Sequence, residues 1–148
     1  KRDKFSEKEL KEFSILFLII NNLDIFRKNI ELISEVDFST QYLVDFKENI
    51  LKFLLNEKFF EKIKIDVQDF DQKFEYIIKK VNTNAPVKII SINKPEGEIL
   101  ERFKDIIAEI KKIDLKEKIE NLENKVSASL DESSYSELLS LRNQLKEG

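Results

Sequence analysis

Apolar residues in the C-terminal third of the chain recur every three or four positions, the spacing of one helical face. A first set comprises Ile99, Phe103, Ile106, Ile110 and Ile113. A second set comprises Leu115, Ile119, Leu122 and Val126. At about 100° per residue, the second set lies roughly 170° around the helix from the first. Neither Pro nor Gly occurs where the phase changes, so we predict one continuous helix whose two halves bury opposite faces.

A last helix is predicted to follow a capping box, in which a hydroxyl and a carboxylate three residues later satisfy free amides. This motif runs from Ser129 to Glu132. The apolar stripe of the helix is Tyr135, Leu138, Leu141 and Leu145. Leu139 widens the apolar arc to about 160°, more than a two-helix seam needs. The apolar surface left over either binds a protein partner or contacts the rest of the domain through Leu139 or Leu141. The sequence pattern favours neither of these two interpretations.

The N-terminal part of the chain carries further helical patterns. A capping box at Ser6 precedes a helix that is apolar on all faces from Phe13 onward, as is typical of the centre of a bundle. Amphipathic helices are predicted over Leu23–Ile33, over Leu43–Leu54 and after Asp66, which would cap the last of them. Residues 86–93 fit a short strand or helical turns, and helix is favoured because a lone strand would leave its amides unsatisfied.

Composition supports an all-α fold. The chain has 148 residues with only two Gly and two Pro, and it is rich in Leu, Ile, Lys and Glu. We predict a helical bundle followed by a long helix and a projecting C-terminal helical hairpin. The bundle would cover residues 1–113, including the first half of the long helix, and the hairpin residues 114–148.

Charge and hydropathy narrow the classes of partner. The net charge is −3, distributed as −4 over residues 96–148 and +1 over the remainder. Neither part has the basic excess that phosphate binding requires, so we expect no direct nucleic-acid binding. The longest apolar run, Ile15–Ile20, is too short to span a bilayer and lacks the features of a signal peptide. We expect a cytoplasmic chain and, because it begins with Lys and contains no Met, a fragment of a larger protein.

The residues of common catalytic sites are missing. The chain contains no His and no Cys, which removes the usual general base, the Ser-His-Asp and Cys-His arrangements and most transition-metal sites. It also has no Gly-rich loop that could bind a phosphate. We therefore predict no catalytic residue, no metal ligand, no cofactor and no small-molecule substrate, and no enzymatic activity for this fragment.

The order of the helical patterns resembles that of a known family. An apolar first helix and an amphipathic helix lead into the link Ser34–Ser39 (SEVDFS), after which comes a helix patterned as Leu43-x-x-Phe46-x-x-x-Ile50-Leu51-x-x-Leu54. Residues 98–103 (EILERF) open the long helix, and residues 138–145 (LLSLRNQL) lie in the last one. This arrangement is similar to the C-terminal helicase-binding domain of bacterial replicative DNA primase (DnaG type). The resemblance covers nearly the whole chain.

The resemblance implies a function in DNA replication. The hairpin would bind the N-terminal domain of the replicative helicase (DnaB type), recruit primase to the replication fork and modulate both partners. The predicted partner-binding residues lie on the last helix and are Tyr135, Leu138, Leu139, Leu141, Arg142 and Leu145. The predicted hairpin seam comprises Leu115, Ile119, Leu122 and Val126. Which face of the last helix meets the partner is left open, because Leu138 and Leu145 also fit the seam.

Two other functions fit the same pattern. The chain could be the N-terminal domain of the helicase itself, which would oligomerise and receive primase. It could also be a structural scaffold domain whose last helices form a coiled coil, although the seam from Leu115 to Val126 is short for an independent one. Self-association distinguishes the helicase domain from a primase domain, which would be monomeric or weakly dimeric.

Overall fold

Helices make up nearly all of the regular structure in the computed structural model, which describes residues 4–66, 69–70, 72–86, 94–129 and 132–147. They are α1 (Glu7–Ile20), α2 (Leu23–Lys28), α3 (Ile30–Ser34), α4 (Gln41–Leu55), α5 (Gln72–Asn84), α6 (Glu96–Ser129) and α7 (Glu132–Glu147). A 3-10 turn covers Glu57–Phe59. No strand occurs within these described ranges, and the predicted all-α class is confirmed.

The chain divides into two compact units, Lys1–Ile106 and Ile107–Gly148. We call them the first unit and the second unit. Helix α6 contributes residues to both, and α7 belongs to the second. The division predicted from the sequence, after residue 113, lies further along α6.

Helix α1 forms as its sequence pattern predicts. Ser6 accepts a hydrogen bond from the Glu9 amide (3.1 Å) and donates its own amide to the Glu9 carboxylate (3.2 Å), which confirms the capping box. Every side chain from Phe13 to Ile20 is buried, so the apolar run lies at the centre of the first unit. The helix ends at Asn21, whose side-chain amide donates to the Phe17 carbonyl (2.9 Å). The backbone amide of Asn21 donates to the same carbonyl (3.2 Å), so both donors of Asn21 close the last turn of α1.

Phenylalanine rings fill much of the core of the first unit. The rings of Phe26 and Phe103 have centroids 5.0 Å apart. Phe46 contacts Phe70 and Phe74, with centroids 5.5 and 5.6 Å apart. Such pairs stabilise a core beyond the area they bury. Through Phe103, the first turns of α6 are part of this core.

Two sequence predictions of helix boundaries are wrong. The single helix predicted over Leu23–Ile33 is interrupted at Asn29, whose side-chain amide donates to the Ile25 carbonyl (2.8 Å) and ends α2. Asp66 does not cap α5, which begins only at Gln72. The Asp66 amide instead donates to the Asp69 carboxylate (2.8 Å), and a local turn forms ahead of the helix. Of residues 86–93, only Pro86 lies within the described ranges, so the predicted helix there lies outside them.

Side chains from α4 and α1 hold the link between α3 and α4. The Lys47 ammonium donates to the carbonyls of Ser34 (3.0 Å) and Val36 (2.7 Å). The buried Glu12 carboxylate on α1 accepts from the amide and the hydroxyl of Ser39, each at 2.8 Å. Thr40, the N-cap residue of α4, forms no capping hydrogen bond with its side chain. Glu12 therefore fixes the chain immediately before α4 from a different helix.

Candidate interaction surface

Helix α6 runs unbroken through the predicted change of phase. It extends from Glu96 to Ser129, and the three residues from Ile113 to Leu115 are all half-buried. Four members of its first apolar stripe are buried: Ile99, Phe103, Ile106 and Ile110. In the second stripe, Ile119 is buried at 8% exposure, and Leu115, Leu122 and Val126 are half-buried. The prediction of one continuous helix is confirmed.

One face of α7 is turned inward within the second unit. Leu138 is only 3% exposed, and Ser134, one turn earlier, is also buried. Leu141 and Leu145 are half-buried. These four positions fall within about 60° of one another around the helix. Because the structure buries Leu138, this residue stabilises the hairpin and is not available to a partner in this arrangement.

A different face of α7 is exposed. Tyr135 is 50% exposed and Leu139 is 43% exposed. Together with Arg142 they span about 60° of the helix, centred roughly 100° away from the buried face. We call these three residues the α7 strip. Two large apolar side chains one helical turn apart form a suitable anchor for a protein partner.

An ion pair lies at the end of the α7 strip. The Arg142 guanidinium donates to the Glu123 carboxylate of α6 at 2.7 Å, and both side chains are nearly half exposed. The pair therefore links α7 to the second half of α6. Arg142, which the sequence analysis predicts to bind a partner, therefore already donates one hydrogen bond within the chain.

The structure adds a groove that the sequence analysis missed. An opening of about 400 Å³ lies between α6 and the end of α7. It is lined by Ala108, Glu109, Lys111, Lys112, Leu115, Gln144 and Leu145. A second opening of about 340 Å³ is lined by Lys111, Asp114, Leu115, Lys118, Leu141 and Gln144. Because the two share three lining residues, we treat them as one groove and call it the α6–α7 groove.

A sequence signal for this groove existed. Ala108 lies seven residues before Leu115 and fourteen before Leu122, in phase with the second stripe of α6. The stripe therefore begins earlier than its large side chains show. Which part of that stripe α7 covers depends on the length of α7. The apolar spacing within α6 therefore does not predict which part stays exposed.

The first unit has exposed apolar residues of its own, Leu55, Phe60, Ile63 and Tyr76. Three of them lie between the end of α4 and Ile65. The Arg27 guanidinium holds this stretch by donating to the carbonyls of Leu54, Phe59 and Phe60 at 3.0 to 3.1 Å. Its hydrogen bonds keep Phe60 in place beside the guanidinium, 5.3 Å from the ring centre. The sequence analysis did not assign a role to these residues.

An aromatic cluster in the first unit surrounds a lysine. The Lys80 ammonium lies 5.3 Å from the ring centre of Phe5, 5.7 Å from that of Tyr76 and 5.9 Å from that of Tyr42. Burial raises the pKa of the Tyr42 phenol above its ordinary value of 10.0, and the charge of Glu9 adds to this effect. The cluster fastens the segment before α1 to α5 through cation–π contacts.

Within the described residues, no group of three or more His, Cys, Asp or Glu side chains is placed to hold a metal ion. No helix in the same residues has the length and apolar character to cross a membrane. Comparison of the chain with protein-family models, with curated proteins and with solved structures finds no match.

Proposed function

We propose that this chain is a non-catalytic interaction domain of a bacterial DNA primase. In this proposal the domain binds the N-terminal domain of the replicative helicase in the cytoplasm, recruits primase to the replication fork and modulates both enzymes. The rest of the parent protein would carry the primer-synthesising activity. The domain itself would need no cofactor and would make no direct contact with nucleic acid.

The observation that carries the proposal is the exposed α7 strip. Tyr135 and Leu139 place two large apolar side chains on the surface of the last helix, where the resemblance to primase expects the helicase contact. Tyr and Arg are enriched among the residues that dominate binding energy at protein interfaces. The separate second unit is consistent with a hairpin whose main task is binding.

The structure divides the six proposed contact residues into groups. Tyr135, Leu139 and Arg142 lie on the exposed strip. Leu141 and Leu145 are half-buried and line the α6–α7 groove. Leu138 is buried in the second unit. We therefore assign the direct contact with helicase first to Tyr135 and Leu139.

The test is a binding measurement between this chain and the purified N-terminal domain of the helicase from the same organism. We expect Leu139→Asp to weaken binding at least tenfold, because a carboxylate would have to be desolvated in the apolar contact. Ser140→Asp is the matched control, since it adds the same charge at an exposed position of α7 about 100° around the helix. Circular dichroism would verify that both variants keep the helical fold.

Two outcomes would contradict the proposal. The first is the absence of binding by the unmodified chain. The second is equal weakening by Leu139→Asp and Ser140→Asp, which would indicate a general charge effect. Sedimentation of the chain alone tests the alternative function: assembly into rings without added helicase would identify the domain as the N-terminal domain of a helicase.

A further inference from the structure

We propose that the α6–α7 groove is a second docking site, which binds an acidic amphipathic helix. This site differs from the α7 strip and does not depend on the identity of the partner proposed above. Ala108, Leu115, Leu141 and Leu145 form the apolar side of the groove. Lys111, Lys112 and Lys118 supply positive charge along it.

The charge around the groove opposes that of its surroundings. Residues 108–118 contain four lysines and three acidic residues, a local net charge of +1, within a C-terminal segment of net charge −4. Lys111, Lys112 and Lys118 are all exposed. Within the described part of the chain, none of the three forms an ion pair, whereas Arg142 is paired with Glu123. Three free ammonium groups beside an apolar floor favour a ligand that combines carboxylates with apolar side chains.

Two acidic residues, Glu109 and Asp114, also line the groove. Together with Lys111, Lys112 and Lys118 they leave the lining with a net charge of +1. The lysines remain the groups available for new ion pairs.

The dimensions of the groove fit a helix. From Ala108 to Lys118 the groove follows α6 for about 15 Å, or three helical turns. Apolar anchors at positions i, i+3, i+4 and i+7 of a ligand helix span about 10 Å. A phosphate backbone or a lipid headgroup would use the lysines and leave the apolar floor unfilled. The apolar floor is therefore the reason to assign an amphipathic peptide.

The test uses a fluorescent peptide of about four helical turns, with Leu at i, i+3, i+4 and i+7, Glu on the flanking positions and Ala elsewhere. Fluorescence anisotropy would measure its binding to the full chain. We expect Lys111→Glu combined with Lys112→Glu to weaken binding at least tenfold. Lys52→Glu combined with Lys104→Glu is the matched control, since it changes the total charge equally at exposed positions outside the groove.

Three results would overturn the assignment. One is the absence of binding at about 1 mM peptide, a concentration that detects even weak complexes. Another is unchanged binding of a peptide whose Leu residues are replaced by Gln, because the contact would then be electrostatic only. The third is equal weakening by Leu139→Asp, which would place the peptide on the α7 strip. The helicase assay reports separately on the strip, so either proposal can fail alone.

Discussion

The two units of the molecule use the same kinds of helix with very different degrees of burial. The first unit buries every side chain of α1 from Phe13 to Ile20 and packs several phenylalanine rings that have almost no exposed surface. Among the described residues of the second unit, three apolar side chains are buried, and they are Ile110, Ile119 and Leu138. Because local stability follows the number of buried contacts, we expect the second unit to open more readily than the first. Apolar surface that does not stabilise the hairpin remains available for binding.

The largest expected effect tests the core of the first unit. Phe46 is fully buried and contacts two other rings, so Phe46→Ala should lower the free energy of unfolding by about 3–5 kcal/mol. Urea denaturation followed by circular dichroism would measure this change. Leu55→Ala, on the same helix but 67% exposed, is the control and should have a much smaller effect. A similar loss from both substitutions would contradict the assigned core.

A second substitution tests whether the units open separately. Leu138→Ala should destabilise the second unit by about 2–3 kcal/mol through loss of its buried centre. Hydrogen exchange detected by mass spectrometry should show faster exchange after residue 107, with little change in α1 and α4. Leu139→Ala should leave exchange nearly unchanged, because that side chain is exposed. Equal acceleration in both units would show that they unfold as one.

A third, smaller effect concerns the buried carboxylate of the first unit. Glu12→Ala leaves the amide and hydroxyl of Ser39 without their acceptor, which should cost about 1–3 kcal/mol. Glu12→Gln keeps an acceptor oxygen and should recover part of the loss. Thermal unfolding of the two variants would give the comparison. If the two variants lose the same stability, the hydrogen bonds to Ser39 are not the cause.

The smallest effect is expected for the ion pair of the second unit. A double-mutant cycle with Arg142→Ala and Glu123→Ala should give a coupling energy below about 1 kcal/mol, since both side chains are partly exposed to water. The coupling should decrease further as salt is added. A coupling above about 2 kcal/mol that persists at high salt would show that the pair is shielded from solvent.

The sequence predicted the features that depend on helix capping by neighbouring residues and on apolar spacing sustained over several helical turns. The Ser6 capping box, the apolar run of α1 from Phe13 onward and the unbroken α6 are of this kind. The break at Asn29 and the late start of α5 were missed, because there a side chain competes with the backbone for hydrogen bonds. The spacing of apolar residues does not indicate where a side chain will compete with the backbone in this way, so it does not predict these helix ends.

The candidate surfaces were predictable only in part. The pattern of α7 indicated surplus apolar surface, and the structure identifies Tyr135 and Leu139 as the exposed residues and Leu138 as a buried one. The prediction placed Tyr135 and Leu138 in one apolar stripe and Leu139 beside it, which does not separate the exposed positions from the buried one. The α6–α7 groove was missed because it depends on where α7 ends against α6, which is a tertiary property. The Glu12–Ser39 contact, across 27 positions of sequence, was missed for the same reason.

The continuity of α6 has a consequence for how the length of this chain can vary among its natural variants. Both apolar stripes are encoded in a single helix, so one residue inserted between Ile110 and Leu115 would rotate the second stripe by about 100° relative to the first. Seven inserted residues, nearly two full turns, would restore the phase to within about 20°. Eleven inserted residues would do the same, so we expect natural length changes at this junction to be of about seven or eleven residues, with single insertions and deletions strongly disfavoured.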